Sequence, residues 1–252
     1  MAENFRQSEI LDIARRKGRV SVEKLARRFQ TSAQTIRKDL SDLSDSGHLK
    51  RVHGGAILPV SASVIGYEDR RKLNHEAKIR IAKACAKDIP EGACVFLNIG
   101  TTTEAVAREL LHHSALTVVT NNLNVANILS ASPQIDVMVA GGTLRRSDGG
   151  LVGSMTTRLI AQFKFDYAVI GCSALDDDGD ILDFDIQEVE VSQTIIARSR
   201  KTYLVSDASK FERTAPVKIA SLENIDRFYT NAPLTRGLEQ TCATWDTDLR
   251  QC

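Results

Sequence analysis

The chain lacks most features that betray a protein at a glance. None of its five cysteines forms a CxxC pair, and it has one tryptophan, five prolines and only 5% aromatic residues. Cys85, Cys94, Cys172, Cys242 and Cys252 make an odd, scattered set. That argues against a disulfide scaffold or a zinc-ligand run and fits reduced thiols. No apolar run approaches the roughly 20 residues that span a bilayer, and residues 1–7 carry no apolar signal segment. A cytoplasmic protein with no membrane partner is therefore expected. There is neither a GxGxxG fingerprint nor a Walker motif, so nucleotide binding is not indicated and no cofactor is expected. His112 and His113 are adjacent and point to different sides of a helix, which disfavours a metal pair. The run Asp176-Asp177-Asp178-Gly179-Asp180 lacks the spacing and terminal glutamate of a calcium loop. It reads as a solvated turn, and no metal is expected.

What is present is a chain of 252 residues, 42% apolar, with 33 basic against 32 acidic residues. This favours a packed globular protein with room for a small and a medium domain. The even balance hides an asymmetry. Residues 1–57 hold twelve Lys/Arg against seven Asp/Glu, a net charge of +5, and the remainder carries −4. A basic head on a mildly acidic body suggests an anionic partner for the head alone.

Within the head, residues 5–17 place Ile10, Ile13 and Ala14 on one helical face, and Gly18 ends that helix. Ser21 can cap a second helix with Val22, Leu25, Ala26 and Phe29 as its stripe. Ser32 can cap a third with Ile36, Leu40 and Leu43 at core spacing. At about 100° per residue, Gln34, Arg37, Lys38 and Ser41 fall on the opposite side. Those groups suit base edges and phosphates. Two short extended runs across Leu49 to Ala56 would form a wing, with Arg51 and His53 beside a nucleic-acid backbone. Periodicity alone is equally consistent with a three-helix packing or dimerisation unit.

Ser32-Ala33-Gln34-Thr35-Ile36-Arg37-Lys38-Asp39-Leu40, then Leu43, Gly47, Leu49 and Arg51-Val52-His53-Gly54-Gly55-Ala56, closely resembles the head of DeoR-type bacterial repressors. The resemblance covers residues 5–57. It implies a winged helix-turn-helix in which Ser32, Gln34, Thr35, Arg37, Lys38, Ser41, Arg51 and His53 meet operator DNA. The family often has arginine where this chain has Lys38, which keeps the charge but loses the fork. Lys38 is thus expected on phosphate rather than on a base.

Residues 58–75 read as a polar linker merging into a helix that carries Ile79, Ile81 and Ala82. Strands then alternate with helices: strands at 93–99, 116–120, 136–140, 167–171, 202–206 and 227–230, helices at 104–111, 123–130, 154–163 and 188–199. The pattern predicts a parallel α/β sheet with ligands beyond the strand C-terminal ends. Small and polar residues gather there: Gly100-Thr101-Thr102-Thr103, Asn121-Asn122, Gly141-Gly142 and Asp207-Ala208-Ser209-Lys210. Glycine, hydroxyls and a helix N-terminus suit a phosphate, with Lys210 as counter-charge. The tail from 233 to 252 is uninformative, and its Trp245 reads as core.

The body also resembles the DeoR-type sensor domain, itself related to sugar-phosphate isomerases, through these same loops and Phe211. Two stretches, Asn121-Asn122-Leu123-Asn124-Val125-Ala126-Asn127 and Leu182-Asp183-Phe184-Asp185-Ile186-Gln187-Glu188-Val189, are similar to the branch of that family governing glycerol 3-phosphate genes. That branch tends to have tyrosine at Ile186 and glycine at Glu212. The resemblance implies three regions: a DNA-binding domain at 1–57, a linker at 58–75 and a phosphosugar-sensing domain at 76–252. The effector, glycerol 3-phosphate, is expected to meet Gly100, Thr101, Thr102, Thr103, Asn121, Asn122, Gly141, Gly142, Asp183, Asp185, Glu188 and Lys210. Asp183, Asp185 and Glu188 would accept hydrogen bonds from its hydroxyls. One head grips DNA weakly, so a homo-oligomer, dimer or tetramer, on repeated half-sites is expected. The alternatives are a repressor answering another phosphosugar, such as fructose 1-phosphate or tagatose 6-phosphate, and a sugar-phosphate isomerase. For the latter no complete acid–base pair maps onto the chain, so no catalytic residue is assigned and an enzyme is not expected.

Overall fold

Ser21 and Ser32 punctuate the N-terminal helices. Helix α1 spans Phe5–Lys17 and a short strand, β1, spans Arg19–Ser21. Ser21 Oγ accepts from the Lys24 amide at 3.3 Å and starts α2, Val22–Arg28. Ser32 Oγ accepts from the Thr35 amide at 3.1 Å and starts α3, Ala33–Asp45. Each cap satisfies an amide that the helix itself leaves open. Strands β2, Lys50–Val52, and β3, Gly55–Ile57, complete an antiparallel sheet of order β1-β3-β2. Ile10, Leu11, Ala14, Val20, Val22, Leu25, Ile36, Leu40, Leu43, Leu49 and Ala56 form one buried cluster. Among the described residues, this cluster is drawn from the head alone. A computed structural model describes residues 5–17, 19–46, 48–52, 54–57 and 66–252. Gly18, Gly47, His53 and the first part of the expected linker, 58–65, lie outside the described residues. The chain divides into two units, Met1–Gly66 and Tyr67–Cys252.

The expected linker differs from its polar, irregular reading. It contains α4, Tyr67–Lys72, before α5, His75–Lys87, begins. Strand–helix alternation follows: β4 (Cys94–Leu97), α6 (Thr101–Leu110), β5 (Leu116–Thr120), α7 (Leu123–Leu129) and β6 (Ile135–Val139). After a hairpin, β7 (Thr143–Arg145) and β8 (Gly150–Val152), come α8 (Ser154–Ile160) and β9 (Phe165–Ile170). Beyond the short strands β10 (Ala174–Leu175) and β11 (Asp180–Asp183) lie α9 (Ile186–Ala197) and β12 (Ser199–Val205). The chain then forms β13 (Val217–Ser221), β14 (Arg227–Thr230), α10 (Arg236–Thr244) and β15 (Asp248–Gln251).

Seven of these strands form one parallel sheet of order β15-β14-β12-β9-β4-β5-β6. Apolar runs such as Val95-Phe96-Leu97 are buried on both faces, as a covered parallel sheet requires. One face packs Ile81, Cys85, Val106, Leu110 and Leu129 from α5, α6 and α7. The other packs Ile160, Val191, Ile195, Leu238 and Cys242 from α8, α9 and α10. From β4 the chain first builds outward through β5 and β6. It then returns to β9 on β4's other side and builds away through β12, β14 and β15. The loops after β4 and β9 therefore diverge, and this reversal of strand order leaves the crevice where such sheets bind ligands.

Two features went unread in the sequence. The tail supplies α10 and the edge strand β15, with Trp245 half-buried against the second cluster. Strands β10, β11 and β13 form a small antiparallel sheet, and the acidic run is the turn between its first two strands. Among the described residues, no helix is long and apolar enough to cross a membrane.

Candidate functional site

In the head, α3 presents Gln34, Arg37 and Lys38 fully exposed, with Thr35 and Ser41 half-buried. The Ser32 and Thr35 hydroxyls lie 2.8 Å apart, so part of their hydrogen-bonding capacity goes into the cap. Arg51 on β2 donates to the Arg37 carbonyl at 3.2 Å, which ties the wing to the exposed helix face. His53 lies outside the described residues. Sequence reasoning passed over Asp39. It is buried, and Arg6 of α1 grips it with a fork of 2.6 and 3.0 Å. The fork fixes α3 against α1 and leaves the polar face of α3 free.

In the larger unit, a pocket opens at the C-terminal ends of β4, β9 and β12, where strand order reverses. Ile99 and Val205 form its apolar floor, and Gly100-Thr101-Thr102-Thr103 forms one wall. Gly100 has φ 149° and ψ 151°, a conformation open to glycine. It delivers the chain into α6, whose first amides have no partners within the helix. The three threonines are not equivalent. Thr103 is fully buried and its hydroxyl donates to the carbonyls of Asn98 and Gly100, both at 2.7 Å. Thr102 is buried as well, while Thr101 is half-buried with its hydroxyl 3.5 Å from the Arg70 carbonyl.

Lys210, Asp183 and Glu188 also line the pocket. Asp183 is buried and accepts from the amides of Phe184 at 2.6 Å and Asp185 at 3.3 Å. Glu188 contacts Arg145 at 2.5 Å. Burial, and then the Asp183 carboxylate, push the Glu188 carboxyl up, while Arg145 pulls the other way. Burial, and then Arg213, push the Lys210 ammonium down. Burial also pushes Lys78 down to about 8, assisted by Lys210, Arg213 and Arg70. Although burial raises it, Asp207 is held below the usual carboxylate range by Lys210 and by hydrogen bonds from Ser209 and Asn74. Cations crowded into a partly dry site are the setting an anion relieves.

Five residues expected here stand elsewhere. Asn121 donates to the Leu151 carbonyl at 3.1 Å, and Asn122 caps α7 by accepting from the Asn124 amide at 2.9 Å. The Gly141 carbonyl accepts from Thr156 at 2.8 Å, and a Cβ on Gly142 would lie 2.0 Å from the Thr156 hydroxyl. Gly142 lets the hairpin pack on α8. Asp185 caps α9 and pairs with Arg145 at 3.0 Å. Conversely, Arg70, Gly171, Cys172 and Ser173 line the pocket without having been anticipated. The last three follow β9 as a small, polar strand-end loop, the signal used for the other loops. Arg70 lay in the expected linker and gave no signal. Among the described residues, no group of His, Cys, Asp and Glu is arranged to hold a metal ion.

Comparison with known proteins matches residues 6–62 to the DeoR-like helix-turn-helix domain and residues 73–232 to the DeoR C terminal sensor domain. The chain is 42% identical, over all 252 residues and the full length of both, to the glycerol-3-phosphate regulon repressor of Escherichia coli (strain K12). It is 43% identical over 230 residues to the repressor of that name from Haemophilus influenzae, covering 91% of this chain and 90% of the relative. Against the E. coli HTH-type transcriptional repressor CsqR, identity is 37% over 228 residues, 90% of this chain and 87% of the other. A solved D-ribose-5-phosphate isomerase in complex with phospho-erythronic acid overlaps 54% of each chain at 17% identity and a TM-score of 0.41, too distant to carry an argument.

Proposed function

The chain belongs to the DeoR-type family of transcriptional regulators, and from that premise we propose that it represses genes of glycerol and glycerol 3-phosphate catabolism and releases its operator when glycerol 3-phosphate fills the sensor pocket. It acts as a regulator and not as an enzyme. Its identity to glycerol-3-phosphate regulon repressors, over the full length of one and nine-tenths of another, supports the regulon. The observation that carries the effector is the pocket itself, which combines the α6 N-terminus, Lys210 and two carboxylates. The amides and hydroxyls of Thr101 and Thr102, with Lys210, suit the phosphate. Asp183 and Glu188 suit the two hydroxyls.

At the operator, Gln34, Thr35 and Arg37 read base edges, while Lys38, Arg51 and His53 hold the backbone, with Ser32 and Ser41 at the margins. Repeated half-sites call for more than one copy of the chain, a dimer or tetramer. Effector and operator are coupled because the effector binds one state of the protein better than the other.

The deciding experiment is a titration of the protein–operator complex with glycerol 3-phosphate, fructose 1-phosphate and tagatose 6-phosphate side by side. Glycerol 3-phosphate is expected to dissolve the complex at the lowest concentration. A complex that survives it and yields to a hexose phosphate would overturn the effector assignment.

A further inference from the structure

Arg70 is the one charged residue lining the pocket that the reading above leaves without a task. It belongs to α4, the first helix of the larger unit. Its guanidinium contacts Asp148 once, Nη2 to Oδ2 at 3.1 Å. Asp148 is already gripped by Arg145 at 2.9 and 2.7 Å, so Arg70 has the lesser share of that carboxylate. The Arg70 Nε–H is buried and has no partner among the described residues. A buried guanidinium donor without an acceptor is costly unless something fills the place. The main chain is also committed to the pocket's surroundings. The Arg70 carbonyl accepts from Lys78 Nζ of α5 and from the Thr101 hydroxyl of α6 at 3.5 Å. Tyr67, one turn earlier, donates to both oxygens of Glu104 on α6, at 3.0 and 2.9 Å.

An unpartnered guanidinium N–H on a residue that lines the pocket with the α6 N-terminus and Lys210 matches a phosphate, which takes two parallel N–H donors from an arginine fork once Nη2 leaves Asp148. We propose that Arg70 is a ligand of the effector's phosphate, which makes α4, the helix following directly on the DNA-binding unit in the chain, part of the effector site. The inference rests on the anion-pocket reading above and adds the route by which occupancy is felt. Filling the pocket transfers Arg70 from Asp148 to the phosphate, so the contacts that hold α4 differ between the empty and filled states. A ligand can shift an equilibrium only through such differential contacts.

Calorimetry of the full chain with inorganic phosphate tests this without assuming which metabolite is the effector. Arg70→Gln is expected to weaken phosphate binding by roughly tenfold or more. Arg70→Lys keeps the charge but loses the fork, and is expected to fall between. Asp148→Asn withdraws the competing acceptor and is expected to bind phosphate more tightly. These last two variants carry the test if Arg70→Gln proves unstable. Equal phosphate affinity in the wild type and in both Arg70 variants overturns the proposal, as does absence of phosphate binding by the wild type. Glycerol 3-phosphate run in parallel separates this inference from the one it rests on. Arg70-dependent phosphate binding with no response to glycerol 3-phosphate sustains Arg70 and removes that effector. Undiminished release by glycerol 3-phosphate in the Arg70 variants does the reverse.

Discussion

Arg37 and Lys210 show how differently a cation behaves in water and in a pocket. The Arg37 side chain is exposed and only its carbonyl is engaged, by Arg51. Its guanidinium is free to reach a base edge. Arg37→Ala is expected to cost about 1–3 kcal/mol of operator affinity and to flatten sequence preference. Anisotropy with operator and scrambled duplexes measures both, and unchanged binding would take Arg37 out of the interface. Lys210 lines the pocket and feels the charges of Arg213 and Asp207. Lys210→Ala is expected to raise the glycerol 3-phosphate concentration needed for release by roughly tenfold or more, because a charge-assisted contact is lost. Normal induction in that variant would put the phosphate elsewhere. At this scale the sequence was legible where a residue type announced its surroundings. Gly100 and Lys210 stood in strand-end loops and line the pocket. Asp39 was not legible, because a carboxylate three residues from Ile36 reads as solvated until Arg6 is found against it. Asn121 and Gly142 were placed at strand ends correctly, yet their polar and small character serves the hairpin.

Among the elements, α4 and α5 hold the chemistry that periodicity could not reveal. Helix α4 is six residues, Tyr67–Lys72, with no buried residue, so it carries no apolar stripe to read. Helix α5 has its stripe, but one of its buried positions is Lys78. With its ammonium pushed down to about 8 and bonded to the carbonyl of the pocket-lining Arg70, Lys78 is expected to give anion binding a pH dependence whose sign can be worked out. Below that pH the empty protein already carries the proton that an anion favours. Above it the anion must restore the proton, so affinity falls as pH rises, by up to about tenfold per unit. Calorimetry with glycerol 3-phosphate between about pH 7 and 9, in two buffers of different ionisation heat, is expected to show proton uptake above pH 8. Constant affinity across that window would mean Lys78 lies outside the anion's field. The main-sheet strands were legible because both faces are buried and their apolar runs are continuous. The strands β7, β8, β10, β11 and β13 are only two to five residues long, too short for a continuous apolar run to mark them, and were missed for that reason.

For the whole molecule, the separate cores predict separate melting. The head's cluster draws only on residues from Ile10 to Ala56, and the two clusters around the main sheet draw only on the larger unit. Scanning calorimetry is expected to show two transitions. A ligand stabilises the unit that holds it, by about 2.7 kcal/mol at a hundredfold excess over its dissociation constant. Glycerol 3-phosphate is thus expected to move one transition and operator DNA the other. A single transition shifted by both would mean that the units unfold as one. The two-part organisation itself was legible from the charge asymmetry and from the change of period between head and body.

Strand β15 holds a place in the main sheet that bears on how the molecule comes into being. Asp248–Gln251 pairs with β14 at the sheet's outer edge, so the larger unit is finished by almost its last residues. Among the described residues, the head's buried cluster ends at Ala56. On the ribosome, where synthesis runs from the amino end, the helix-turn-helix head can therefore fold well before the sensor domain is complete. Translation cut short between the two would release a folded helix-turn-helix head with no sensor domain attached.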